Sequence, residues 1–179
     1  MENTDTNQWV SKVIIFLSSQ TISLFGSSVV GYAIIWYITL ETSSGSIMTV
    51  TILCTFLPQV LISLFAGVWA DRYSRKKLII YSDLFISIST LALAACFMSG
   101  MTTLYLIYLA AIIRSIGAGI QTPAVSAILP QIVPVGKLTR VNAINSTINS
   151  VMLLLAPAVG GLLLATVGFV YALLFDVVT

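Results

Sequence analysis

The sequence contains no histidine and very little charge. Eight Lys and Arg and six Asp and Glu make up 8% of its 179 residues, against roughly 25% in an ordinary soluble domain. Without histidine, the chain lacks the most common metal ligand and the most common general base. Paired carboxylates and a nucleophile motif are missing as well. The sequence therefore predicts neither an enzyme, nor a metal site, nor a bound cofactor.

Cysteine and positive charge are also scarce. Cys54 and Cys96 both fall in apolar stretches without ligand-spaced partners, which predicts small apolar fillers rather than a disulfide or a metal site. The net charge of +2 comes from a few cations in short clusters. Such clusters are too small for a nucleic-acid footprint, so no nucleic-acid partner is expected.

Long uncharged stretches are what the sequence does contain. No Asp, Glu, Lys or Arg occurs in residues 13–40, 42–70, 84–113, 115–136 and 141–175. A helix needs about 20 apolar residues to cross the hydrocarbon core of a bilayer, and each stretch exceeds that length. The stretches lack the alternation of a β-barrel strand, so they predict helices. The expected fold is all-α and polytopic, with the lipid bilayer as its surroundings.

The helix boundaries follow from the polar and turn-forming segments. Helices are predicted at residues 11–40, 47–70, 78–99, 103–124 and 138–165, followed by an apolar segment at 168–179. Pro130 and Pro134 place a connection at residues 129–137. The last segment has about 12 residues, too few to cross a bilayer. The expectation is five complete helices and a truncated sixth.

The cations predict the orientation of these helices. They fall at alternate connections: Lys12 before the first helix, Arg72, Arg75, Lys76 and Lys77 after the second, and Lys137 and Arg140 after the fourth. Lys and Arg in short loops accumulate on the cytoplasmic side. This pattern predicts a multi-pass protein of the cell membrane with a cytoplasmic N-terminus.

Three charged residues lie within or close to the predicted spans. Arg114 falls near the middle of the fourth helix, where a cation costs about 2.5–3.5 kcal/mol to insert. It is expected to face a cavity or a partner, in a functional role or in a structural one. Asp83 and Asp176 are candidate proton carriers, since a low-dielectric site favours the neutral carboxyl group. For Asp83, a salt bridge to the loop cations is the alternative.

Polar and small residues recur on one face of two helices. They are Gln20, Ser23, Ser27 and Gly31 in the first helix, and Asn142, Asn145, Asn149, Ala156 and Gly160 in the fifth. Their spacing of three, four or seven places each set on one side. Such a face either lines an aqueous path or lets two helices pack closely, and the sequence leaves both alternatives open.

The segment GVWADRYSRKK, residues 67–77, resembles the signature of the major facilitator superfamily of secondary transporters. That signature joins a Gly, an Asp-Arg pair and a group of basic residues between helices 2 and 3. Ser74 stands where Gly is more usual. The resemblance implies a cytoplasmic gate formed by Gly67, Asp71, Arg72, Arg75 and Lys76.

Further stretches are similar to motifs of the same family. RSIGAGIQTPA, residues 114–124, resembles the helix 4 motif, which implies a proton-linked role for Arg114. APAVGG, residues 156–161, resembles the helix 5 motif of antiporters, with Ala156 in place of a Gly; it implies that Pro157, Gly160 and Gly161 permit a helix bend. SSQTISLFGSSVVGYAIIWY and FDVVT look most like macrolide-efflux-type drug exporters.

The resemblance implies the N-terminal six-helix bundle of a transporter whose C-terminal bundle is absent. The expected activity is proton-coupled efflux of amphipathic drugs such as macrolides, and thereby antibiotic resistance, by alternating access between the two bundles. The expected partners are protons, a small amphipathic substrate and the missing C-terminal half. The alternatives are an importer or antiporter for another small solute, or a truncated membrane remnant that transports nothing.

Overall fold

The computed structural model describes the backbone of residues 2–179 and the side chains of residues 9–177 and 179. The described backbone forms six α-helices and one 3-10 turn. They are α1 (Glu2–Thr42), α2 (Gly45–Arg72), α3 (Arg75–Met98), α4 (Leu104–Ile132), the 3-10 turn Val135–Lys137, α5 (Leu138–Val167) and α6 (Phe169–Val178). The all-helical prediction is confirmed.

Five of these helices are long and apolar enough to cross a membrane. Their outward faces carry large apolar side chains, such as Leu64, Phe65 and Leu154, which water would not solvate favourably. Apolar surface on this scale around a helical bundle is typical of a protein that lipid surrounds. The chain is a membrane protein.

The largest differences from the predicted boundaries are at α1 and α4. α1 begins at Glu2 rather than at residue 11. α4 continues to Ile132, eight residues beyond the predicted end at 124, and Pro130 lies in its final turns instead of in a connection. Leu129 and Val133 are buried there against α1 and α5, and this packing offsets the backbone hydrogen bond that proline removes.

The connections explain two sequence features. Ser74 has φ −62° and ψ 113°, the extended conformation of an N-cap, so the position does not require the glycine that is usual in the family signature. α3 therefore begins at Arg75, three residues before the predicted start. Position 168, in contrast, does require glycine, because Gly168 adopts φ +85° in the tight turn between α5 and α6.

Glycines allow the helices to approach closely. A Cβ atom on Gly119 would lie 2.8 Å from the Gln59 carbonyl oxygen of α2, and one on Gly117 would lie 2.6 Å from Cγ1 of Ile86 in α3. A Cβ on Gly160 of α5 would lie 2.7 Å from the Val29 carbonyl oxygen of α1. α4 is thus seated between α2 and α3, and α5 packs against α1.

Candidate functional site

A buried ion pair joins four helices near the centre of the bundle. Arg114 Nη1 on α4 contacts the Asp176 carboxylate on α6 and donates to the Thr90 hydroxyl on α3. Its Nη2 donates to the Ser27 carbonyl oxygen on α1 at 2.9 Å. The side chains of Arg114 and Asp176 are only 8% and 2% exposed. A cation in mid-membrane is therefore compensated by an anion and by polar groups.

Asp176 is fully engaged in this cluster. Its Oδ1 accepts a hydrogen bond from the Ser27 hydroxyl at 2.6 Å, and its Oδ2 lies 2.9 Å from the Thr90 hydroxyl. The carboxylate thus touches α1, α3 and α4 at once. Because α6 contributes the anion, the short sixth helix is held in the bundle by charge as well as by packing.

Asp83 lies in a second polar cluster that contains no cation. Its Oδ1 accepts hydrogen bonds from the Gln121 amide at 2.6 Å and from the Ser23 hydroxyl at 3.1 Å. A salt bridge to the loop cations was the alternative role for this residue. Among the described side chains, the salt bridges are Arg75–Asp71 and Arg114–Asp176, so this alternative is wrong. Asp83 points into the bundle because α1 and α4 present polar groups to it.

The two clusters are related by helical repeats. Ser23 and Ser27 are one turn apart on α1, Asp83 and Thr90 two turns apart on α3, and Arg114 and Gln121 two turns apart on α4. Each of these three helices supplies one residue to each cluster. Ile86 packs against Gly117 in the intervening layer and separates the clusters with apolar atoms.

A cavity of about 370 Å³ opens beside both clusters, between α1, α2, α4 and α5. Its wall combines aromatic and aliphatic side chains with amides and hydroxyls. The lining includes Ser27, Gly31, Tyr32, Phe56, Gln59, Arg114, Gln121, Asn145, Asn149 and Met152. Within the described part of the chain, no acidic side chain lines it. Ser27 and Arg114 connect the cavity to Asp176, and Gln121 connects it to Asp83.

Some residues of the polar faces of α1 and α5 line a cavity, and others pack two helices together, so each of the two predicted alternatives holds for part of the set. Gly31, Asn145 and Asn149 line the cavity, whereas Gly160 packs against the α1 backbone. Gln20 is buried away from the cavity, and its side-chain oxygen lacks a hydrogen-bond partner among the described residues. Asn142 is exposed.

The helix 5 motif makes its contacts with α1. The Trp36 indole nitrogen donates to the Pro157 carbonyl oxygen at 3.1 Å, and a Cβ on Gly161 would lie 3.3 Å from the same nitrogen. Pro157, Gly160 and Gly161 therefore form one contact surface.

The residues of the proposed gate lie at the connection between α2 and α3. Arg75 Nη2 lies 3.7 Å from Asp71 Oδ1, a weak contact because the Asp71 side chain is 78% exposed. Arg72 and Lys76 are exposed, and Gly67 faces open space with no atom within 4 Å of an added Cβ. Arg75 is partly buried in the bundle, with its side chain 28% exposed.

Sequence reasoning missed Thr90, Gln121 and Ser115. Thr90 and Gln121 complete the two clusters, and each lies seven residues from a charged residue that was recognised, Asp83 and Arg114 respectively. A search for polar residues at that spacing would have found both. The Ser115 hydroxyl accepts the Gln59 N–H at 2.8 Å, next to Pro58, and ties α2 to α4.

The sequence pattern of most of the chain matches a known family. The model of the Major Facilitator Superfamily matches residues 16–179, nearly the full length. The chain belongs to the major facilitator superfamily. Membership points to a transporter rather than an enzyme, and it agrees with the helical bundle described above.

Proteins named for efflux, multidrug resistance or transport are similar to this chain. Macrolide efflux protein A of Streptococcus pyogenes is 33% identical over 159 residues, which is 88% of this chain and 39% of the relative. Multidrug resistance protein 2 of Bacillus subtilis is 27% identical over 155 residues, 87% of this chain and 38% of the relative. The staphyloferrin A transporter of Staphylococcus aureus is 25% identical over 153 residues, 84% and 38% of the two chains.

The chain spans about two fifths of the length of these relatives. The comparison with solved structures found no match.

Proposed function

We propose that this chain forms the N-terminal half of a proton-coupled exporter of amphipathic drugs such as macrolides, working by alternating access. The names of its streptococcal and Bacillus relatives support the substrate class. The observation that carries the proposal is the position of Ser27, Arg114 and Gln121, which line the cavity and also contact the buried Asp176 carboxylate or the half-buried Asp83 carboxylate. A substrate bound in the cavity can therefore affect both carboxyl groups through these three residues.

The two carboxylates take different roles in this proposal. Asp176 faces a guanidinium group, so protonating it would leave Arg114 as an uncompensated charge in the membrane. Asp83 has only neutral partners, so protonating it removes a charge without stranding another. Asp83 is thus the proton carrier, and the Arg114–Asp176 pair sets the electrostatics that hold α1, α3, α4 and α6 together.

The cavity suits an amphipathic substrate. Tyr32, Phe56 and Met152 offer apolar contact, and Asn145 and Asn149 offer amide groups that fix orientation by hydrogen bonds. A substrate that takes the Gln121 amide as a donor competes with Asp83 for it. Losing that hydrogen bond would favour proton uptake by Asp83, so substrate and proton would bind together. Exchange of one for the other therefore requires a substrate that leaves the Gln121–Asp83 hydrogen bond in place.

The remaining motifs act in the conformational step. Gly67 and Asp71 face away from this bundle and are available to the second bundle, whose approach would close the cytoplasmic side. Arg72, Arg75 and Lys76 supply the positive charge of this gate. Pro157, Gly160 and Gly161 let α5 change its angle against α1.

Transport in inverted membrane vesicles tests the proposal. The full-length protein should accumulate a radiolabelled macrolide when a proton gradient is imposed, and a protonophore should abolish the accumulation. Arg114→Ala should remove the gradient-driven part, whereas Thr147→Ala, an exposed hydroxyl on α5 that bonds only within its own helix, should leave it unchanged. Unchanged coupling in Arg114→Ala would refute the assigned role.

A second candidate is transport of staphyloferrin A. It is favoured by the similarity to the staphyloferrin A transporter. Competition between the macrolide and staphyloferrin A in the same vesicles separates the two substrates. Failure of both to move would favour the reading as a membrane remnant without transport activity.

A further inference from the structure

A second cavity lies outside the polar clusters, in a groove between the first halves of α1 and α5. It measures about 760 Å³ and is largely apolar. Its walls are formed by Val10, Val13, Ile14, Leu17 and Ile22 of α1, and by Val141, Ile144 and Ile148 of α5. Ile14, Ile22 and Ile144 are exposed, so the described protein leaves the groove open along one side.

Two cations line one end of the groove. Lys137 and Arg140 line it and are exposed, and neither forms a salt bridge with an acidic side chain among residues 9–177. Trp9 lines the same end, where an amphipathic ring is typical of the membrane–water interface. Val135, in the adjoining 3-10 turn, is 90% exposed and extends the apolar surface toward the cations.

We propose that this groove binds an acidic phospholipid of the cytoplasmic leaflet. Lys137 and Arg140 bind the headgroup phosphate, and one acyl chain lies between α1 and α5. The cations fall on the side that the charge pattern of the sequence assigns to the cytoplasm, where anionic lipids concentrate. The proposal depends on this sidedness and not on any transport activity.

The dimensions of the groove fit one lipid chain. From Trp9 to Ile22, α1 rises about 20 Å. The hydrocarbon core is roughly 30 Å thick, so one leaflet is about 15 Å thick. The groove is therefore long enough for an acyl chain that crosses its leaflet. Any lipid can fill an apolar groove of this length. The two cations add the selection, since a basic site between membrane helices favours an anionic headgroup.

The fluorescence of Trp9 can report lipid in the groove, because Trp9 lines it. The chain has only two other tryptophans to replace. The full chain with Trp36→Phe and Trp69→Phe is reconstituted into vesicles of phosphatidylcholine and phosphatidylglycerol, with bromine on the acyl chains of one lipid at a time. Brominated phosphatidylglycerol should quench Trp9 more than brominated phosphatidylcholine at equal mole fraction. Each cation near an anionic lipid contributes a factor of about five, so the expected preference is about five- to thirtyfold.

The matched variants remove two charges each. Lys137→Gln with Arg140→Gln should abolish the preference for phosphatidylglycerol. Lys76→Gln with Lys77→Gln, which removes two cations of the same predicted side but outside the groove, should retain it. Native mass spectrometry of the chain with all three tryptophans gives an independent count of retained phosphatidylglycerol, in case replacing Trp36 disturbs its contact with α5.

Three results would overturn the proposal. Equal quenching by both lipids means that the groove takes lipid without regard to charge. Equal loss in both double variants means that the general positive charge of the loops attracts the lipid. No quenching by either lipid means that protein covers the groove, as a second bundle would do.

Discussion

At the scale of single residues, the environment of a carboxylate decides what it can do. Asp83 and Asp176 both lie on membrane helices, yet one meets only neutral donors and the other meets a guanidinium group. The sequence could indicate only that each lies in or next to an apolar stretch. Their difference depends on Gln121, Ser23 and Arg114, which come from other helices.

Asp83→Asn tests the assignment of the proton carrier. An amide keeps a hydrogen bond with Ser23 or Gln121 but cannot exchange a proton. We expect gradient-driven drug accumulation to fall at least about tenfold, because the coupling step is lost, while drug-for-drug exchange across the vesicle persists. Radiolabel uptake with and without a proton gradient measures both. Full gradient-driven transport in this variant would remove Asp83 from the mechanism.

The Arg114–Asp176 pair leads to a stability prediction. Removing one partner leaves the other charge buried, which typically costs about 3–5 kcal/mol. Arg114→Ala and Asp176→Ala should each destabilise the bundle by about that amount, and the double variant by clearly less than the sum, because it leaves no charge behind. Thermal unfolding in detergent measures the three variants. Additive losses would show that the two side chains do not interact.

At the scale of helices, glycine has two separate uses in this chain. Gly160 sits where a Cβ would lie 2.7 Å from the Val29 carbonyl oxygen, whereas Gly67 has nothing within 4 Å of that position. Both occur in motifs that the sequence makes visible. Only the packing of α1 on α5 shows which of them supports the described bundle.

Replacing each glycine by leucine separates these uses. Gly160→Leu should lower the stability by a few kcal/mol, because the side chain must push α5 away from α1. Gly67→Leu should change the stability little, yet abolish transport by the full-length protein if the second bundle approaches there. Unfolding temperature and vesicle uptake are compared for the two variants. An unfolding temperature that falls equally in both would contradict the contrast.

At the scale of the whole molecule, the sequence predicted the architecture well and the contacts poorly. Uncharged stretches identify spans because lipid excludes charge, so five spans could be recognised without a structure. The end of α4 could not, since Pro130 looks like a terminator until Leu129 and Val133 are seen packed against α1 and α5. A salt bridge from Asp83 to the loop cations was wrong for the same reason. The direction in which Asp83 points depends on the helices packed against α3, which the sequence does not show.

Orientation in the membrane is a property of the whole chain and can be measured directly. With Cys54 and Cys96 replaced by Ala, a single cysteine is introduced as Ser74→Cys or Thr102→Cys, at opposite ends of α3. The positive-inside pattern predicts that an impermeant maleimide labels the Thr102→Cys protein in intact cells and the Ser74→Cys protein only after lysis. The reverse pattern would invert the predicted topology.

The hydrogen bond from the Trp36 indole to the Pro157 carbonyl gives the protein an intrinsic optical sensor. The emission of an indole depends on the polarity around its nitrogen and on the hydrogen bond that the nitrogen donates. In Trp36 this hydrogen bond joins the first and fifth helices. Once Trp9 and Trp69 are replaced by Phe, any rearrangement that parts those helices should change the wavelength of the emitted light. The motion could then be followed in real time with no attached dye.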